Sequence, residues 1–210
     1  MKLHRKGLVI VISGPSGVGK GEIKKSLLNR EGNNFFYSVS ATTRKPRPGE
    51  KDGIDYFFMQ KKDFKQKIKE NFFLEYSKFV DHYYGTPYKN ILQSLEEEKE
   101  ILLEIDIKGA LQIRKHKLHK DSVFIFIAPP SKQIIQERLK KRNSETDEEI
   151  QKRMLNYDKE MNLAYKYDYI VVNDEVKNAV DKIMSIIIAE HSKTKNSIDY
   201  YLTEIVKKGK

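Results

Sequence analysis

A glycine-rich segment near the start of the chain carries the clearest chemical signal. Residues 14–21 are GPSGVGKG, with Gly14, Gly19 and Lys20 at the spacing G-x-x-x-x-G-K. Glycines allow successive backbone N–H groups to point into one concavity, and the lysine adds a positive charge beside it. A β-branched run precedes the segment and a helical pattern follows it, as a phosphate-binding loop requires. We therefore expect these residues to hold the phosphates of a nucleotide.

The position after Lys20 departs from the pattern. A Ser or Thr whose hydroxyl contacts Mg²⁺ is expected there, but this chain has Gly21, followed by Glu22. A bound Mg²⁺ would then rely on nucleotide phosphate oxygens and water, with no direct protein ligand assigned. Glu22 could add a carboxylate, but the helix dipole favours an acidic residue in a first turn in any case, and we favour that explanation.

A second basic segment follows at residues 43–50, TRKPRPGE. Arg44 and Arg47 lie three residues apart, and Pro46 and Pro48 stiffen the backbone that carries them. Two guanidinium groups held in this way suit bidentate capture of a phosphate. A solvated basic loop is the alternative for such a string. If the first loop holds one nucleotide, the second loop predicts another anionic substrate.

Carboxylates stand in two apolar segments. Asp106 ends the sequence LLEID, and the carboxyl ends of central parallel strands face the ligand cleft, so we expect Asp106 to be functional. Glu104 lies two residues earlier and could be structural. Glu75, in FLEYSKF, is simply a strand carboxylate when the residues are considered alone.

Strand-like and helix-like patterns alternate along most of the chain. Strands are predicted at residues 8–12, 101–107, 122–127 and 169–172, and helices at 21–28, 88–99, 110–116, 131–141, 147–165 and 176–191. This alternation is typical of an α/β protein whose parallel β-sheet is covered by helices on both faces. A weak alternation at residues 37–42, and short strands at 56–59 and 73–80 around a helix at 62–70, predict a small inserted αβ unit.

The 210 residues predict one domain rather than two. Its parts are a core at 7–37, 88–130 and 166–191, an insert at 38–87, a segment rich in arginines and acidic residues at 131–165, and a tail at 192–210. In the tail, Ile198, Tyr201, Leu202 and Ile205 have helical spacing. The tail either docks on a surface or frays into solvent.

Composition excludes several classes of protein. The chain has no cysteine and five histidines, which excludes thiol catalysis, disulfides and zinc ribbons. Its longest aliphatic run is too short to cross a bilayer, and no signal-peptide pattern is present, so we expect a cytoplasmic protein without a membrane partner. The net charge of +10 suits nucleic acid, an anionic surface or phosphate-rich ligands.

The chain resembles the guanylate kinase family, one of the nucleoside monophosphate kinases, over residues 8 to about 191. Seven segments in order carry the resemblance: GPSGVGKG, SVSATTRKPRPGEKDGIDYFF, FLEYSKFVDHYYGTPY, LLEIDIKGA, FIFIAPPS, RLKKRNSETDEEIQKRM and YIVVND. The resemblance implies a P-loop-type fold with an inserted GMP-binding lobe at 38–87 and a helical lid at 131–165. It also implies reversible phosphoryl transfer from ATP to GMP or dGMP, with Mg²⁺ bound to ATP, in purine nucleotide metabolism and GMP recycling.

The resemblance assigns roles to individual residues. For ATP it implies Gly14, Pro15, Ser16, Gly17, Val18, Gly19, Lys20, Gly21, Arg138 and Asn173. For GMP it implies Ser40, Arg44, Arg47, Tyr56, Glu75, Tyr84, Thr86 and Asp106. The catalytic cations would be Lys20, Arg44, Arg142 and Arg153, which supply positive charge around the transferring phosphoryl group.

The guanine assignment makes chemical sense on its own. A carboxylate at Glu75 accepts from guanine N1–H and the 2-amino group together, whereas adenine offers an acceptor at N1 and has no 2-amino group. Adenine would therefore leave a buried carboxylate without its partners, which is costly.

Three other functions compete with this interpretation. Domains of this fold also exist as protein-binding modules that have lost the phosphate loop or the arginines, whereas this chain retains both. A kinase for another nucleoside monophosphate is disfavoured by Glu75 and Thr86. A nucleic-acid-binding protein rests on charge alone, so we expect ATP and GMP as partners and no nucleic acid. Monomer or homo-oligomer is left open.

Overall fold

A computed structural model describes residues 7–79, 81–141 and 147–206. The strands are β1 (Val9–Ser13), β2 (Phe35–Tyr37), β3 (Ala41–Thr42), β4 (Phe57–Phe58), β5 (Phe73–Phe79), β6 (His82–Pro87), β7 (Glu100–Glu104), β8 (Ser122–Ala128) and β9 (Tyr169–Val172). The helices are α1 (Lys20–Leu28), α2 (Lys61–Lys69), α3 (Lys89–Glu96), α4 (Ile107–Ile113), α5 (Lys132–Lys141), α6 (Asp147–Met161), α7 (Val176–Ser192) and α8 (Thr194–Tyr200). Short 3₁₀ turns at Lys117–Asp121 and Ala164–Lys166 and a π-helical segment at Tyr201–Val206 complete the description.

The main sheet is parallel and has five strands in the order β2-β7-β1-β8-β9. The central strand β1 has the sequence VIVIS and is buried along its whole length. An uninterrupted β-branched run is typical of a parallel strand covered on both faces. The predicted α/β fold class is therefore confirmed.

Hydrophobic residues of β1 alternate between two core clusters. Ile10 and Ile12 pack in a cluster that includes Ile183 of α7, and Val9 and Val11 pack in another that includes Ile91 of α3. All of these side chains are buried. Helices thus cover both faces of the sheet. A ligand can therefore reach the sheet at the carboxyl ends of its strands.

A second sheet of four strands lies between β2 and α3 in the chain, in the order β4-β3-β6-β5. β3 pairs parallel to β4, whereas β6 pairs antiparallel to both β3 and β5. Helix α2 packs on this sheet through Phe64, whose ring stacks on Phe73 with 4.4 Å between centroids. The hairpin of β5 and β6 sets Glu75 directly opposite Thr86.

Two predicted strands differ from the structure. The alternation at residues 37–42 belongs to two sheets, because Tyr37 ends β2 in the main sheet and Ala41 begins β3 in the second one. The strand predicted at 101–107 ends at Glu104, and Asp106 is the N-cap of α4. Its side chain accepts from a backbone N–H in the first helical turn, and this local hydrogen bond ends the strand early.

Other differences concern turns and the tail. The sequence pattern did not predict β6 as a strand, although it ends with Gly85, Thr86 and Pro87 in extended conformation. The helix predicted at 147–165 ends at Met161 and continues as a 3₁₀ turn. Residues 194–206 are helical, with Tyr201 and Leu202 exposed, so the helical spacing of the tail is confirmed as structure. In the described part of the chain, no helix is long and apolar enough to cross a membrane.

Candidate functional site

A cavity of about 210 Å³ opens where the carboxyl ends of the main strands meet the second sheet and helix α6. Most of the residues predicted to bind nucleotides line it, although they come from distant parts of the chain. They are Gly14, Ser16, Gly17, Gly19, Lys20, Gly21, Ser40, Arg44, Arg47, Tyr56, Glu75, Tyr84, Asp106 and Arg153. One cavity therefore brings together the phosphate loop and the second basic segment.

The loop between β1 and α1 has the backbone that its glycines allow. Gly14, Gly17 and Gly19 all have positive φ angles, of 146°, 84° and 96°. A β-carbon at Gly14 would lie 2.3 Å from the carbonyl oxygen of Ile127, so the close approach to β8 requires glycine as well. The Lys20 ammonium group folds over the loop and donates to the carbonyl oxygens of Gly14 (2.7 Å) and Pro15 (3.1 Å).

Two residues from other elements brace this loop at Val18. The Asn173 side chain, buried after β9, donates to the Val18 carbonyl oxygen at 2.8 Å, and Arg138 of α5 donates to the same oxygen at 3.2 Å. Arg138 also donates to the carbonyl oxygen of Asn173 at 3.2 Å. Both side chains therefore support the phosphate loop from outside the cavity.

The second basic segment is organised by a carboxylate. Glu50 accepts two hydrogen bonds from the Arg44 guanidinium, at 2.8 and 2.9 Å, and one from the backbone N–H of Arg47 at 2.7 Å. Burial alone would lower the pKa of Arg44, but the paired Glu50 raises it overall. Burial likewise opposes ionisation of Glu50, yet its hydrogen bonds to Arg44 and Arg47 lower its pKa. Glu50 thus holds the Arg44 guanidinium and the backbone of Arg47 at the cavity wall.

Two tyrosines complete this wall. The rings of Tyr56 and Tyr84 meet edge to face, with centroids 6.1 Å apart, and the Arg44 guanidinium lies 5.3 Å from the Tyr56 centroid. Burial raises the pKa of the Tyr56 hydroxyl, so it remains a hydrogen-bond donor at neutral pH. Ser40 is buried beside them and its carbonyl oxygen accepts from Phe57 of β4 at 2.9 Å.

Glu75 is a buried carboxyl group at the inner end of the cavity. The Thr86 hydroxyl donates to its Oε1 at 2.6 Å across the β5–β6 hairpin. The pKa of Glu75 is raised to about 8 overall, because burial and the nearby Asp106 raise it by more than the hydrogen bonds from Thr86 lower it. Such a group is poised to ionise when it meets hydrogen-bond donors.

Two further carboxyl groups lie at the end of β7: Glu104 is its last residue, and Asp106, near Glu75, is the N-cap of α4. Asp106 accepts from the Ser77 hydroxyl and from the Gly109 backbone N–H, the latter at 2.8 Å. Glu104 pairs with Lys24 of α1 at 3.2 Å. A β-carbon at Gly21 would lie 3.9 Å from Glu104 Oε1, so a carboxylate stands near the position where the usual loop has its metal-binding hydroxyl.

Helix α6 reaches the cavity through Arg153 and Glu160. The Arg153 guanidinium donates to the Ser16 hydroxyl of the phosphate loop and lies 5.3 Å from the centroid of the Phe79 ring of β5. The Glu160 carboxylate hydrogen-bonds to the backbone of Ser16. Burial raises the pKa of Glu160, while Lys20 and Arg153 act to lower it.

A few predicted site residues lie elsewhere. Pro15, Val18, Thr86, Arg138 and Asn173 support the site from behind its lining residues. Glu22 is exposed in the first turn of α1, as its helix-dipole explanation requires. Arg142 lies outside the described residues.

Five contributors were not predicted from the sequence. They are Glu50, Ser77, Phe79, Gly109 and Glu160. Glu50 had a local signal, since it ends the same Arg-Pro segment three residues after Arg47. The others take part only through contacts between segments distant in sequence, for which the chain offers no local pattern.

These features define a class. A parallel sheet with a phosphate loop after its first strand, joined to a second basic site on an inserted sheet, is the arrangement of a nucleotide-binding P-loop protein with two anionic ligands. Comparisons with known proteins give the family. A model of the family described as guanylate kinase matches residues 6–190, and the chain belongs to this family.

Individual relatives agree over nearly the full chain. The guanylate kinase of Onion yellows phytoplasma is 56% identical over 202 residues, covering 96% of this chain and 95% of the relative. That of Caldanaerobacter subterraneus is 49% identical over 202 residues, covering 96% and 97%. The crystal structure of guanylate kinase from Anaplasma phagocytophilum superposes with a TM-score of 0.80 at 28% identity, covering 96% of each chain.

Proposed function

We propose that this protein catalyses reversible phosphoryl transfer from ATP to GMP or dGMP, giving ADP and GDP, and so recycles GMP in purine nucleotide metabolism. One observation carries the proposal. A single cavity is lined by a phosphate loop on one side and by Arg44, Arg47 and Glu75 on the other. A donor and an acceptor nucleotide bound there would meet phosphate to phosphate.

The donor side is the loop of residues 14–21 with Lys20. Its backbone N–H groups and the lysine charge suit the β- and γ-phosphates of ATP. Lys20 is held on the loop by carbonyl oxygens, so its ammonium group stays near the phosphate positions. Arg138 and Asn173 support the loop by donating hydrogen bonds to the Val18 carbonyl oxygen. The family resemblance assigns Asn173 an additional role, in binding adenine.

The acceptor side divides between phosphate and base. Arg44 and Arg47, with the hydroxyls of Ser40, Tyr56 and Tyr84, offer donors for the GMP phosphate. Arg44 is already oriented by Glu50 before any ligand binds, so little side-chain entropy is lost on binding.

The base would be recognised by Glu75 and Asp106, which line the cavity, with Thr86 behind Glu75. Ionised Glu75 accepts from guanine N1–H and the 2-amino group, and Thr86 and Asp106 complete the polar surroundings. Adenine would leave the buried Glu75 carboxyl with the Thr86 hydroxyl but without the two donors that guanine supplies, which would favour guanine.

The transfer itself needs positioning and positive charge more than a covalent catalyst. An oxygen of the GMP phosphate attacks the γ-phosphorus of ATP, the bond to the β,γ-bridging oxygen breaks, and that oxygen leaves with ADP. Lys20, Arg44 and Arg153 surround the place where these phosphates meet. Arg142 belongs to the same proposed set by family resemblance.

The residues at the site fit a Mg²⁺ that arrives with ATP. No group of three or more His, Asp or Glu side chains among residues 7–79, 81–141 and 147–206 could cage a metal ion. Mg²⁺ is commonly held by one or two carboxylates, water and substrate phosphates, and Glu104, which also pairs with Lys24, is a carboxylate near Gly21 of the loop that could serve in this way. When bound, the ion would neutralise charge on the donor phosphates.

Closure completes the proposed mechanism. Residues 38–87 would form the GMP-binding lobe and residues 131–165 the lid, closing on the core to exclude water, the competing phosphoryl acceptor. The contacts of Arg153, a residue of the proposed lid, support this closure. Its guanidinium contacts both Ser16 of the core and Phe79 of the proposed GMP-binding lobe.

A nucleotide-selectivity assay tests the function. ADP formation from ATP is measured with GMP, dGMP, AMP, UMP and CMP as acceptors, with and without Mg²⁺. We expect Mg²⁺-dependent turnover with GMP and dGMP and little with the others. A faster rate with AMP, UMP or CMP would contradict the base assignment, and the absence of ADP formation with every acceptor would favour a binding module.

A further inference from the structure

Gly109 faces the carboxylate that we assign to guanine. It is the third residue of α4 and is buried, and its φ angle lies outside the positive region, so its backbone conformation suits any amino acid. A β-carbon at this position would nevertheless lie 2.1 Å from Glu75 Oε2, 2.8 Å from Cδ and 3.4 Å from Cγ. The space that a β-carbon would need is thus occupied by the Glu75 side chain, and the backbone conformation itself does not favour glycine.

The same residue also contacts the second carboxylate of the base site. The Gly109 backbone N–H donates to Asp106 Oδ1 at 2.8 Å, and the Ser77 hydroxyl donates to the other oxygen of Asp106. Ser77 and Glu75 lie two residues apart on β5 and share its buried face. Gly109 therefore holds Asp106 by a hydrogen bond and leaves the adjacent space to Glu75.

The consequence of a side chain here would differ for folding and for recognition. The clashing atoms are the far end of a Glu side chain, which can rotate away at small cost to the fold. Alanine is also preferred to glycine within a helix, which would partly offset that cost. Binding of the base is more sensitive than folding to this displacement, because hydrogen bonds to a planar base weaken steeply when the acceptor moves.

We propose that Gly109 is a specificity-determining positioning residue: it provides the space in which the Glu75 carboxylate lies against α4, in the place where it contacts guanine. This inference rests on the proposed function, in which Glu75 recognises the base of GMP. It adds that guanine selection depends on Gly109 indirectly, through the position of the Glu75 side chain.

The test compares Gly109→Ala with Lys108→Ala, a substitution at the exposed neighbouring position of the same helix. For Gly109→Ala we expect KM for GMP to rise about tenfold or more, as for loss of a charge-assisted hydrogen bond. KM for ATP should stay unchanged, because the phosphate loop connects β1 to α1, whereas Gly109 lies in α4, which follows β7. Lys108→Ala should match the parent protein in both constants. An unchanged KM for GMP in Gly109→Ala overturns the inference.

Glu75→Gln separates this inference from the function on which it rests. If Glu75→Gln leaves KM for GMP unchanged, the proposed base site is wrong. If Glu75→Gln raises it and Gly109→Ala does not, only the role of Gly109 is wrong. When both raise it, the double variant should be little worse than Glu75→Gln alone, because Gly109 acts through Glu75. Full additivity of the two effects would contradict the inference.

A thermal-unfolding cycle keeps the test decisive should Gly109→Ala fold poorly. Glu75→Ala removes the carboxyl group that the new β-carbon would meet. In the Glu75→Ala background, Gly109→Ala should therefore leave Tm unchanged or raise it, even if it lowers Tm in the parent. An equal loss of Tm in both backgrounds would show that the space is needed by something other than Glu75, and would overturn the inference.

Discussion

The guanidinium of Arg153, on α6, donates a hydrogen bond to the hydroxyl of Ser16 in the phosphate loop. The same guanidinium lies over the Phe79 ring of β5, with 5.3 Å between its central carbon and the ring centroid. Arg153 therefore contacts the core and the inserted sheet at once. A cation held between the two proposed nucleotide sites is well placed to contact the phosphoryl group that passes between them.

Replacing Arg153 by Lys tests this role. Lysine keeps the positive charge but loses the planar fork that can meet Ser16 and the ring together. We expect kcat to fall by about 100-fold, as for loss of one preorganised transition-state donor, with little change in KM for GMP. Lys159→Met, at an exposed cation on the same helix, is the matched control. An unchanged kcat in Arg153→Lys would place Arg153 outside the reacting centre.

Glu50→Gln tests whether the acceptor arginines are oriented in advance. The amide keeps the size of the side chain but cannot accept the paired guanidinium hydrogen bonds as a carboxylate does. We expect KM for GMP to rise by roughly tenfold, and KM for ATP to stay constant, because the donor site does not include Glu50. Glu31→Gln, at an exposed position, controls for the charge change. A lower KM for GMP would mean that Glu50 competes with the phosphate for Arg44.

Local sequence signals predicted the parts of the site that depend on neighbouring residues. The phosphate loop is one of them, because Gly14, Gly19 and Lys20 act within a single turn between a strand and a helix. The fold class is another, since buried parallel strands such as β1 are continuous apolar runs. The strand at 101–107 was predicted too long, because the capping hydrogen bond of Asp106 outweighs the apolar character of Ile105 and Ile107.

Contacts between distant segments were beyond prediction from the residues alone. Glu75 stands opposite Thr86 through the register of the β5–β6 hairpin, which the sequence pattern of β6 did not reveal. Its assignment came from family resemblance instead. Gly109 and Glu160 gain their importance from packing against β5 and the phosphate loop, and neither has a distinctive neighbourhood in the chain.

The buried carboxyl of Glu75 should make stability depend on pH. Burial raises its pKa from 4.5 to about 8, so the folded protein binds a proton that the unfolded chain releases between these values. This group therefore lowers the stability of the parent protein as pH rises from about 5 to 8. Thermal unfolding of Glu75→Gln should give a Tm close to that of the parent at pH 5 and a higher Tm at pH 9. The opposite trend would mean that Glu75 is stabilised as an anion.

The same titration should govern binding of GMP. If ionised Glu75 accepts from guanine, binding of GMP must release the proton, and affinity should weaken as pH falls below about 8. The GMP phosphate also titrates near pH 6, so Glu75→Gln serves as the control that retains only that dependence. Equilibrium binding of GMP across pH 6.5–9 distinguishes the two. A parent profile as flat as that of Glu75→Gln above pH 7 would contradict ionisation on binding.

Glu160 places a carboxyl group against the phosphate loop. Its carboxyl group hydrogen-bonds to the backbone of Ser16; burial raises its pKa, and the charges of Lys20 and Arg153 oppose that shift. In the proposed mechanism the ATP phosphates use the same N–H groups and the same lysine, and an ionised carboxylate among them would repel the incoming charge. We therefore expect Glu160→Gln to bind ATP more tightly, by about tenfold, in equilibrium titrations without GMP.

The control for this last prediction is Glu148→Gln, which removes an exposed carboxylate from the same helix. Surface charges of this kind are screened, so its affinity for ATP should equal that of the parent. Weaker binding of ATP by Glu160→Gln would reverse the interpretation. It would mean that the carboxylate keeps Ser16 and Lys20 in their binding conformation and that ATP is held together with it.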